Sequence, residues 1–416
     1  MSRILRRSSA GSVIVFIAAM LLLAGCDAEK SPRVGREQLF TLGYGQGEDQ
    51  LDLFQLEDSS GPLKTRITMR EGIFYISNGN GAKVLRLSSF GDVLSMIYNA
   101  ERNPEPLLLK QTQGAEAAGR RAVPYPFKAS GEIAVSSKQI VYVEDRLPPE
   151  RRVYDQASNS ILDYAVLRFD GEGRFLDYLG QEGVGGTPFP YIVGLYLSPE
   201  DDCIVVSVTQ VAWLVHWFDS RGLVRQALTI KRDALPPPPG SSGLIASLDR
   251  IVPDSSSRAL ILKVDYYKES VDPQTKSGSG IDYAGSWAYR MDPSNGSFVE
   301  KWEIPAIEKT VKSGSERGSS RYVRIPEFLG SAGDRLFFVT ADDDGKTYLS
   351  VFDRSSRGMT RYAIDIAPDE LYYTSLYLSP DGILCALLGT KYEARVVWWR
   401  FDKLFGAAAE ASTASK

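Results

Sequence analysis

Short runs of alternating apolar and polar residues, bounded by Gly, Pro, Asp and Ser, follow one another along the chain from about residue 38. The clearest set is Gly194–Ser198, Cys203–Thr209, Trp213–Phe218 and Leu223–Ile230, separated by turn-forming residues. Short β-branched and aromatic runs with such boundaries are typical of strands joined by hairpins. No helical apolar period of convincing length follows the N-terminal region, so the pattern predicts an all-β fold.

A strand that ends in a large apolar residue, usually followed by Asp and a small polar turn, recurs six times. The copies are Val84–Ser88, Val166–Asp170, Val215–Asp219, Ala288–Asp292, Leu349–Asp353 and Trp398–Asp402. Their spacings of 49 to 82 residues are those of one repeated unit with loop insertions of different length. Repeated units of four short antiparallel strands are the blades of a β-propeller. The sequence therefore predicts a six-bladed β-propeller with four-stranded antiparallel blades over residues 38–405.

The glycine-rich connector from Leu179-Gly180 to Pro190 leads into the strand LYLSP at Leu195–Pro199, and LYLSP returns at Leu376–Pro380. This arrangement, echoed at Leu42–Gly47 and Leu329-Gly330, resembles the blades of NHL-type, six-bladed TolB-like propellers. We expect the two LYLSP strands to be the innermost strands of blades three and six, on opposite sides of the ring.

The last unit supplies only three strands, at Tyr373–Leu378, Ile383–Leu387 and Arg395–Phe401, before an Ala/Ser/Thr-rich tail over 406–416 that we expect to be disordered. Proteins normally cover an unpaired sheet edge. We therefore predict that Gln38–Leu42 pairs with the last blade as its fourth strand and closes the ring.

The first 25 residues have the pattern of a secretory signal peptide, with Arg3, Arg6 and Arg7 before the uncharged apolar run Val13–Leu23. That run is shorter than the roughly 20 apolar residues needed to span a bilayer. The next residues, Leu23, Ala24, Gly25 and Cys26, resemble the bacterial lipobox. The resemblance implies cleavage between Gly25 and Cys26 and a diacylglycerol with acyl chains such as palmitate on the Cys26 sulfur.

These features predict a lipoprotein of the bacterial cell envelope, exposed to the periplasm and held in the lipid membrane by Cys26. Residues 26–37 would be its tether. Asp27 resembles an inner-membrane retention signal, but the choice between inner and outer membrane stays open. The layout is also similar to that of spirochaetal lipoproteins with a signal and a propeller. Cleavage removes three arginines and changes the net charge from −4 to −7, which argues against a nucleic-acid partner.

Catalytic residues are scarce in the sequence. The one histidine, His216, lies in the middle of a predicted strand, so a structural role is favoured over general-base catalysis. Cys203 and Cys385 occupy matching strands of opposite blades, too far apart for a disulfide, and are expected to be buried free thiols. Asp342–Gly345 lacks the glycine spacing of an EF-hand calcium loop and is interpreted as a hairpin turn. We therefore assign no catalytic residue, no metal ligand and no cofactor beyond the lipid on Cys26.

Three further stretches, one aromatic, one glycine-rich and one proline-rich, are candidate binding elements. Trp398 and Trp399 are adjacent on a strand and face opposite ways, so at most one could contact a ligand, and core packing is favoured for both. Gly43–Gly47 precedes no helix and matches no nucleotide fingerprint. Pro236–Pro239 is either a docking spacer or a rigid strap.

The long connections are expected on one face of the propeller. If the strands of a blade are called A to D, the B–C loops and the D–A connectors leave on the same side. The long segments 100–125, 145–157, 231–241, 268–277 and 306–323 all belong to these two classes. These segments carry a small excess of positive charge, which is most concentrated at Arg120, Arg121, Arg151 and Arg152. Two interpretations remain equally open: a docking surface for an acidic partner, or loops that are simply solvated.

The predicted function is a non-enzymatic, membrane-anchored scaffold that binds a protein or an acidic envelope component through this face. The alternative is an exported hydrolase or lactonase. The resemblance to six-bladed propellers implies that such an enzyme would hold calcium in the central tunnel through Glu, Asn and Asp of the inner strands, which here carry few acids.

Overall fold

The computed structural model describes residues 31–54, 63–111, 120–180, 185–272, 274–275, 277–312, 319–342, 345–370 and 372–406. Six antiparallel sheets are arranged as a six-bladed β-propeller, which confirms the predicted fold class. The signal segment, the lipobox with Cys26 and nearly all of the 406–416 tail lie outside the described residues.

The blades follow the chain in order, each from its inner strand A to its outer strand D. Blade one comprises β3 (Thr65–Arg70), β4 (Ile73–Asn78), β5 (Lys83–Leu87) and β6 (Val93–Tyr98). Blade two comprises β8 (Ile133–Val135), β9 (Val141–Arg146), β12 (Tyr164–Phe169) and β13 (Phe175–Tyr178). Blade three comprises β14 (Tyr191–Leu197), β15 (Cys203–Val208), β16 (Ala212–Phe218) and β17 (Val224–Lys231).

Blade four has the longest strands, β18 (Ile245–Pro253), β19 (Leu260–Val271), β20 (Gly278–Asp292) and β21 (Ser297–Ile304). Blade five comprises β24 (Glu327–Ala332), β25 (Arg335–Ala341), β26 (Thr347–Asp353) and β27 (Met359–Ile364). Blade six comprises β28 (Tyr373–Leu378), β29 (Ile383–Gly389), β30 (Glu393–Arg400) and the N-terminal β1 (Arg36–Tyr44). LYLSP thus begins in the inner strands of blades three and six, as predicted.

The remaining elements are additional to the four strands of each blade. They are the edge strands β2 (Gln50–Leu51) and β7 (Arg121–Pro124), the hairpins β10–β11 (Val153–Asp155, Ser160–Leu162) and β22–β23 (Ile307–Lys312, Ser319–Arg324), a short helix α1 (Leu108–Gln111) and the 3₁₀ turns Pro149–Arg151, Arg232–Ala234 and Pro368–Glu370. A further helical turn covers 401–406. Within the described residues, no helix has both the length and the apolar content needed to cross a membrane.

The recurring Asp at the end of strand C has a local physical cause. Oδ1 of Asp219 accepts hydrogen bonds from the backbone N–H groups of Arg221 and Leu223, at 2.9 and 3.0 Å. Oδ1 of Asp170 accepts the equivalent bonds from Glu172 and Arg174, both at 2.9 Å. A short carboxylate bonded to the backbone two residues on stabilises a tight turn, so the marker found in the sequence is the cap of the C–D turn.

The ring is closed by the N-terminal strand. β1 pairs antiparallel with β30, with Phe40 opposite Val396 and Leu42 opposite Ala394. This confirms the predicted closure, although the strand extends two residues further at each end than Gln38–Leu42. Before the strand, the amide of Ala363 on blade five donates to the Pro32 carbonyl at 3.0 Å. The part of the expected tether from Pro32 onward is therefore packed on the propeller.

The tryptophans of β30 pack on both sides of blade six. Trp399 is fully buried in the cluster shared with blade five, whereas Trp398 packs against Phe74 of blade one and donates to Glu37 at 2.8 Å. The two side chains face opposite ways, as predicted, and both contribute to packing between blades.

Candidate functional site

The two faces of the propeller differ strongly. We call the side with the B–C loops and D–A connectors the loop face, and the side with the A–B and C–D turns the turn face. The hairpin β10–β11 and the extended ends of β19 and β20 are B–C loops, while β22–β23 lies in a D–A connector. The long segments therefore leave the blades on the loop face, in agreement with the sequence pattern.

The segment 100–125 does not remain on that face. After α1 the chain returns as β7, which runs parallel to the outer strand β6 with Arg121 opposite Ser95. Arg121 forms an ion pair with Glu172 at 2.8 Å, and Glu172 lies in a C–D turn of blade two. Arg120 and Arg121 are thus on the outer edge of blade one, and the expectation that all five segments crowd one face is wrong for this pair.

Arg151 and Arg152 do lie on the loop face, in blade two, but they are engaged within the protein. The Arg151 guanidinium donates to the Gly185 carbonyl and lies 4.6 Å from the Tyr178 ring centroid. Arg152 forms an ion pair with Asp163 at 2.6 Å. The structure does not bring the two arginine pairs together, and three of the four arginines have acidic, carbonyl or aromatic partners.

At the centre of the loop face a different polar group surrounds the mouth of the tunnel. Arg66 precedes the middle of β3, Glu132 precedes β8, Tyr196 lies in β14 and Arg250 in β18, so four consecutive blades contribute one side chain each. Arg66 Nε donates to Glu132 at 2.9 Å. Burial raises the pKa of Tyr196, and the positive charges of Arg250 and Arg66 oppose that shift. The phenol is therefore a neutral hydroxyl suited to hydrogen bonding rather than to acting as a base.

Beside this mouth a buried lysine joins three blades. Lys64 donates to both oxygens of Glu144, at 2.9 and 2.8 Å, and to the Ile192 carbonyl at 2.6 Å. The Tyr191 ring centroid is 4.4 Å away. Burial alone lowers the pKa of Lys64, but Glu144 and Glu132 together raise it above its ordinary value. The lysine is thus held as a cation, and the arrangement is a structural ion pair between blades one, two and three.

The residues considered for catalysis lie in the interior of the blades. His216 is in the middle of β16, with its ring centroid 5.3 Å from that of Phe189, and burial lowers its pKa. Cys203 in β15 and Cys385 in β29 are both free and buried, as predicted. Burial raises the pKa of both thiols, which makes them poor nucleophiles.

The acidic turn Asp342–Gly345 lies between β25 and β26. The Asp342 amide donates to the Lys346 carbonyl at 2.8 Å and the Gly345 amide to the Asp342 carbonyl at 3.1 Å, which is the bonding of a hairpin turn. Asp343 and Asp344 lie outside the described residues. In the part of the chain that the structure describes, no three His, Cys, Asp or Glu side chains are grouped so that they could hold a metal ion.

Pro236–Pro239 is fixed against blade four. The Tyr266 hydroxyl donates to the Pro236 carbonyl, and the Tyr289 hydroxyl to the Pro237 carbonyl at 3.4 Å. Of the two interpretations of this segment, the bonding supports a rigid strap.

Sequence reasoning missed the polar mouth of the tunnel. Lys64 and Glu144 are 80 residues apart and carry no local motif. In the sequence, Tyr196 stands out only as part of LYLSP. Its one local signal is Gly194, because a Cβ at that position would lie 2.6 Å from the Tyr196 hydroxyl oxygen, so the glycine leaves the space that the ring occupies.

No family model matches the chain, and no curated protein matches it. Among solved structures the chain is similar to AztD of Citrobacter koseri, at 10% identity over 73% of this chain and 74% of that chain, with a TM-score of 0.30. It is also similar to a polysaccharide lyase acting on ulvan, at 10% identity over 87% and 94% of the two chains, with a TM-score of 0.40. A proposed gluconolactonase is 9% identical over 88% and 92%, with a TM-score of 0.37. Because these TM-scores lie below 0.5, the activities of these proteins are not transferred to this chain.

Proposed function

We propose that the chain is an exported lipoprotein, anchored in a bacterial envelope membrane through Cys26, that binds a protein or envelope component with its loop face and catalyses no reaction. The binding role is inferred from the difference in loop length between the two faces. Rigid β-sheets hold elaborated hairpins on one side and short turns on the other, and binding residues are concentrated on loops held by such scaffolds.

The tips of these hairpins expose apolar side chains. Val153, Tyr154 and Ile161 on β10–β11 are 51%, 57% and 60% exposed, and Ile281 in blade four is 59% exposed. The B–C turns of blades three and six add Val211 and Tyr392. Tyr154 and Ile161 are directly opposite each other in the hairpin, so their side chains can form a contiguous apolar patch, which is a feature of interaction surfaces.

Apolar contact supports the proposal better than charge. The basic docking surface expected from Arg120, Arg121, Arg151 and Arg152 is weakened because Arg121 and Arg152 are neutralised by Glu172 and Asp163. A partner would therefore be recognised mainly by the hairpin tips, with charge as a secondary contribution.

The absence of catalysis is part of the proposal. A hydrolase of the tunnel type would need a nucleophile or a set of metal ligands on the inner strands. At the tunnel mouth, Glu132 is paired with Arg66 and Tyr196 is a neutral phenol. Esterase and lactonase assays on the purified protein test this part, and turnover that one substitution at the tunnel mouth abolishes would overturn it.

The binding role is tested by site-specific photo-crosslinking in cells. We place benzoylphenylalanine at Tyr154 and Tyr392 on the loop face, and at Phe90, an exposed residue in a C–D turn on the turn face. We expect discrete crosslinked products from the first two positions alone. Equal products from Phe90 would contradict the assignment of the face. Loss of labelling by an alkyne-modified fatty acid in Cys26→Ser separately tests the anchor.

A further inference from the structure

The axis of the propeller is a cavity of about 1170 Å³ lined by the inner strands of all six blades. It extends from the turn face, where Pro380 and Asp381 line it, to Val323 at the loop face. This volume exceeds the roughly 300–1,000 Å³ of pockets that enclose small organic ligands, so a small ligand would fill only part of it.

The lining of the cavity mixes polar and apolar side chains. Its apolar members that are at least partly exposed include Val193, Leu197, Leu329, Leu376 and Leu378. These side chains offer contacts to a ligand with an apolar body, because removing apolar surface from water is favourable.

One cation in the lining of the cavity has no partner among the described residues. Arg250 follows the bulge between Leu248 and Arg250 in β18, is exposed to the cavity and makes no hydrogen bond or ion pair with any described residue. Its neighbour Arg66 differs, because Glu132 already accepts its Nε–H at 2.9 Å. Arg250 is thus a guanidinium available to an anion.

Two hydroxyls that line the cavity, one on blade three and one on blade five, also lack a partner among the described residues. The Tyr196 ring folds back over Gly194. Burial raises the pKa of Tyr196, and the positive charge of Arg250 acts on its hydroxyl against that rise. Thr340 is only 6% exposed, lines the cavity and has a buried Oγ1 with no hydrogen-bond partner. Hydroxyls without a partner in a cavity can donate to an acceptor on a bound ligand.

We propose that the central cavity binds an organic acid with an apolar body, whose carboxylate is received by Arg250 and the Tyr196 hydroxyl while the body packs against the apolar side chains of the cavity wall. A carboxylate supplies only acceptors and forms its strongest hydrogen bonds with guanidinium groups. The site is separate from the hairpin tips of the loop face, so it stands whether or not those tips bind a partner.

The test uses two probes with the same body and different head groups. N-phenyl-1-naphthylamine, a neutral dye that fluoresces in apolar sites, is bound to the full chain carrying Cys26→Ser and displaced with dodecanoate or with dodecan-1-ol. We expect dodecanoate to displace the dye at a concentration at least tenfold lower than the alcohol. Val193→Trp, at an exposed position that lines the cavity, should reduce dye binding by obstructing the mouth.

The head-group preference identifies the residues. Arg250→Gln should remove most of the preference for dodecanoate while leaving the alcohol nearly unaffected, and Tyr196→Phe should reduce it about threefold. Arg221→Gln, on the turn face and 77% exposed, is the matched control and should retain the full preference. Equal displacement by acid and alcohol, an unchanged preference in Arg250→Gln, or dye fluorescence no higher than that of Val193→Trp would each overturn the proposal. Failure here leaves the crosslinking result at Tyr154 and Tyr392 unaffected.

Discussion

Gly131 leaves room for the buried ion pair between Lys64 and Glu144. A Cβ at residue 131 would lie 2.6 Å from Oε2 of Glu144 and 3.0 Å from Oε1. We expect Gly131→Ala to displace the carboxylate and to lower the free energy of unfolding by about 3 kcal/mol, because a buried lysine without its partner is strongly destabilising. Urea denaturation measures the change. Gly278→Ala, where a Cβ meets nothing within 4 Å, should cost less than about 1 kcal/mol, and equal effects of the two substitutions would contradict this account.

The sequence could predict residues whose role is local and could not predict those whose role depends on two blades. The Asp markers are visible in the sequence because their role is local: Asp219 accepts hydrogen bonds from backbone groups two and four residues ahead. The buried thiols followed from equivalent strand positions. Lys64, by contrast, is defined by Glu144 and by the Ile192 carbonyl, 80 and 128 residues away. In the sequence, nothing distinguishes Arg250 from other arginines. Only the arrangement of the blades around the axis brings it to the central cavity.

At the scale of elements, β1 closes the ring, and its side chains Phe40 and Leu42 are both buried in the core between blades six and one. Phe40 is 8% exposed and its ring centroid lies 5.7 Å from that of Phe74 in blade one. We expect Phe40→Ala to lower the free energy of unfolding by about 3–5 kcal/mol and to speed hydrogen exchange along β30. Gln38→Ala, at an exposed position of the same strand, is the control. Unchanged exchange in β30 of Phe40→Ala would show that blade six does not depend on β1.

The carboxylate of Glu370 bonds to arginines of both β1 and β30, an arrangement that we call the carboxylate clamp. It makes the closure of the ring dependent on pH. Glu370 accepts hydrogen bonds from Arg36 of β1 at 2.6 Å, from Arg395 of β30 at 3.0 Å and from the Ala367 amide at 2.9 Å. Burial alone raises the pKa of Glu370, but these bonds outweigh it and lower the pKa to about 2.

Because the folded-state pKa lies below the ordinary value of 4.5, the stability that ionised Glu370 contributes is fully present above pH 4.5 and is lost as the pH falls towards 2. We expect Glu370→Gln to be about 2 kcal/mol less stable than the wild type at pH 7. The difference should shrink steadily below pH 4.5 in denaturation experiments at several pH values. Glu71→Gln, 70% exposed in its side chain, controls for the loss of one surface charge. A difference that grows on acidification would contradict the clamp.

At the scale of the whole molecule, the ring could be predicted because the same strand-and-turn pattern recurs six times. Each copy alone is weak, but all six indicate the same architecture. The repeat pattern correctly indicates that 100–125 connects two blades. It does not predict the path that this segment follows. The parallel pairing of β7 with β6 places Arg121 opposite Ser95, and no pattern within the segment specifies that it folds back along the outer edge. Loop direction depends on packing against a neighbouring blade, which a strand pattern does not encode.

The packed N-terminus also limits how an anchored propeller can be oriented. Pro32 and Arg33 are already paired with Ala363 on blade five. If Cys26 carries lipid, as proposed, the five residue steps from Cys26 to Ser31 reach at most about 17 Å, whereas a compact domain of this size is roughly 50 Å across. The junction of blades five and six must then lie next to the membrane, and blades two and three must point away from it.

This orientation is measured with the lipidated protein in liposomes that contain quencher lipids. A fluorophore is attached through Thr360→Cys on the outer strand of blade five or through Thr229→Cys on the outer strand of blade three, both at exposed positions. The buried Cys203 and Cys385 should remain unlabelled in the folded protein. We expect the fluorophore at residue 360 to be quenched several-fold more strongly than the one at residue 229. Equal quenching would mean that Pro32 and Arg33 detach from blade five at the membrane, which would lengthen the tether and leave the loop face free to turn towards the lipid.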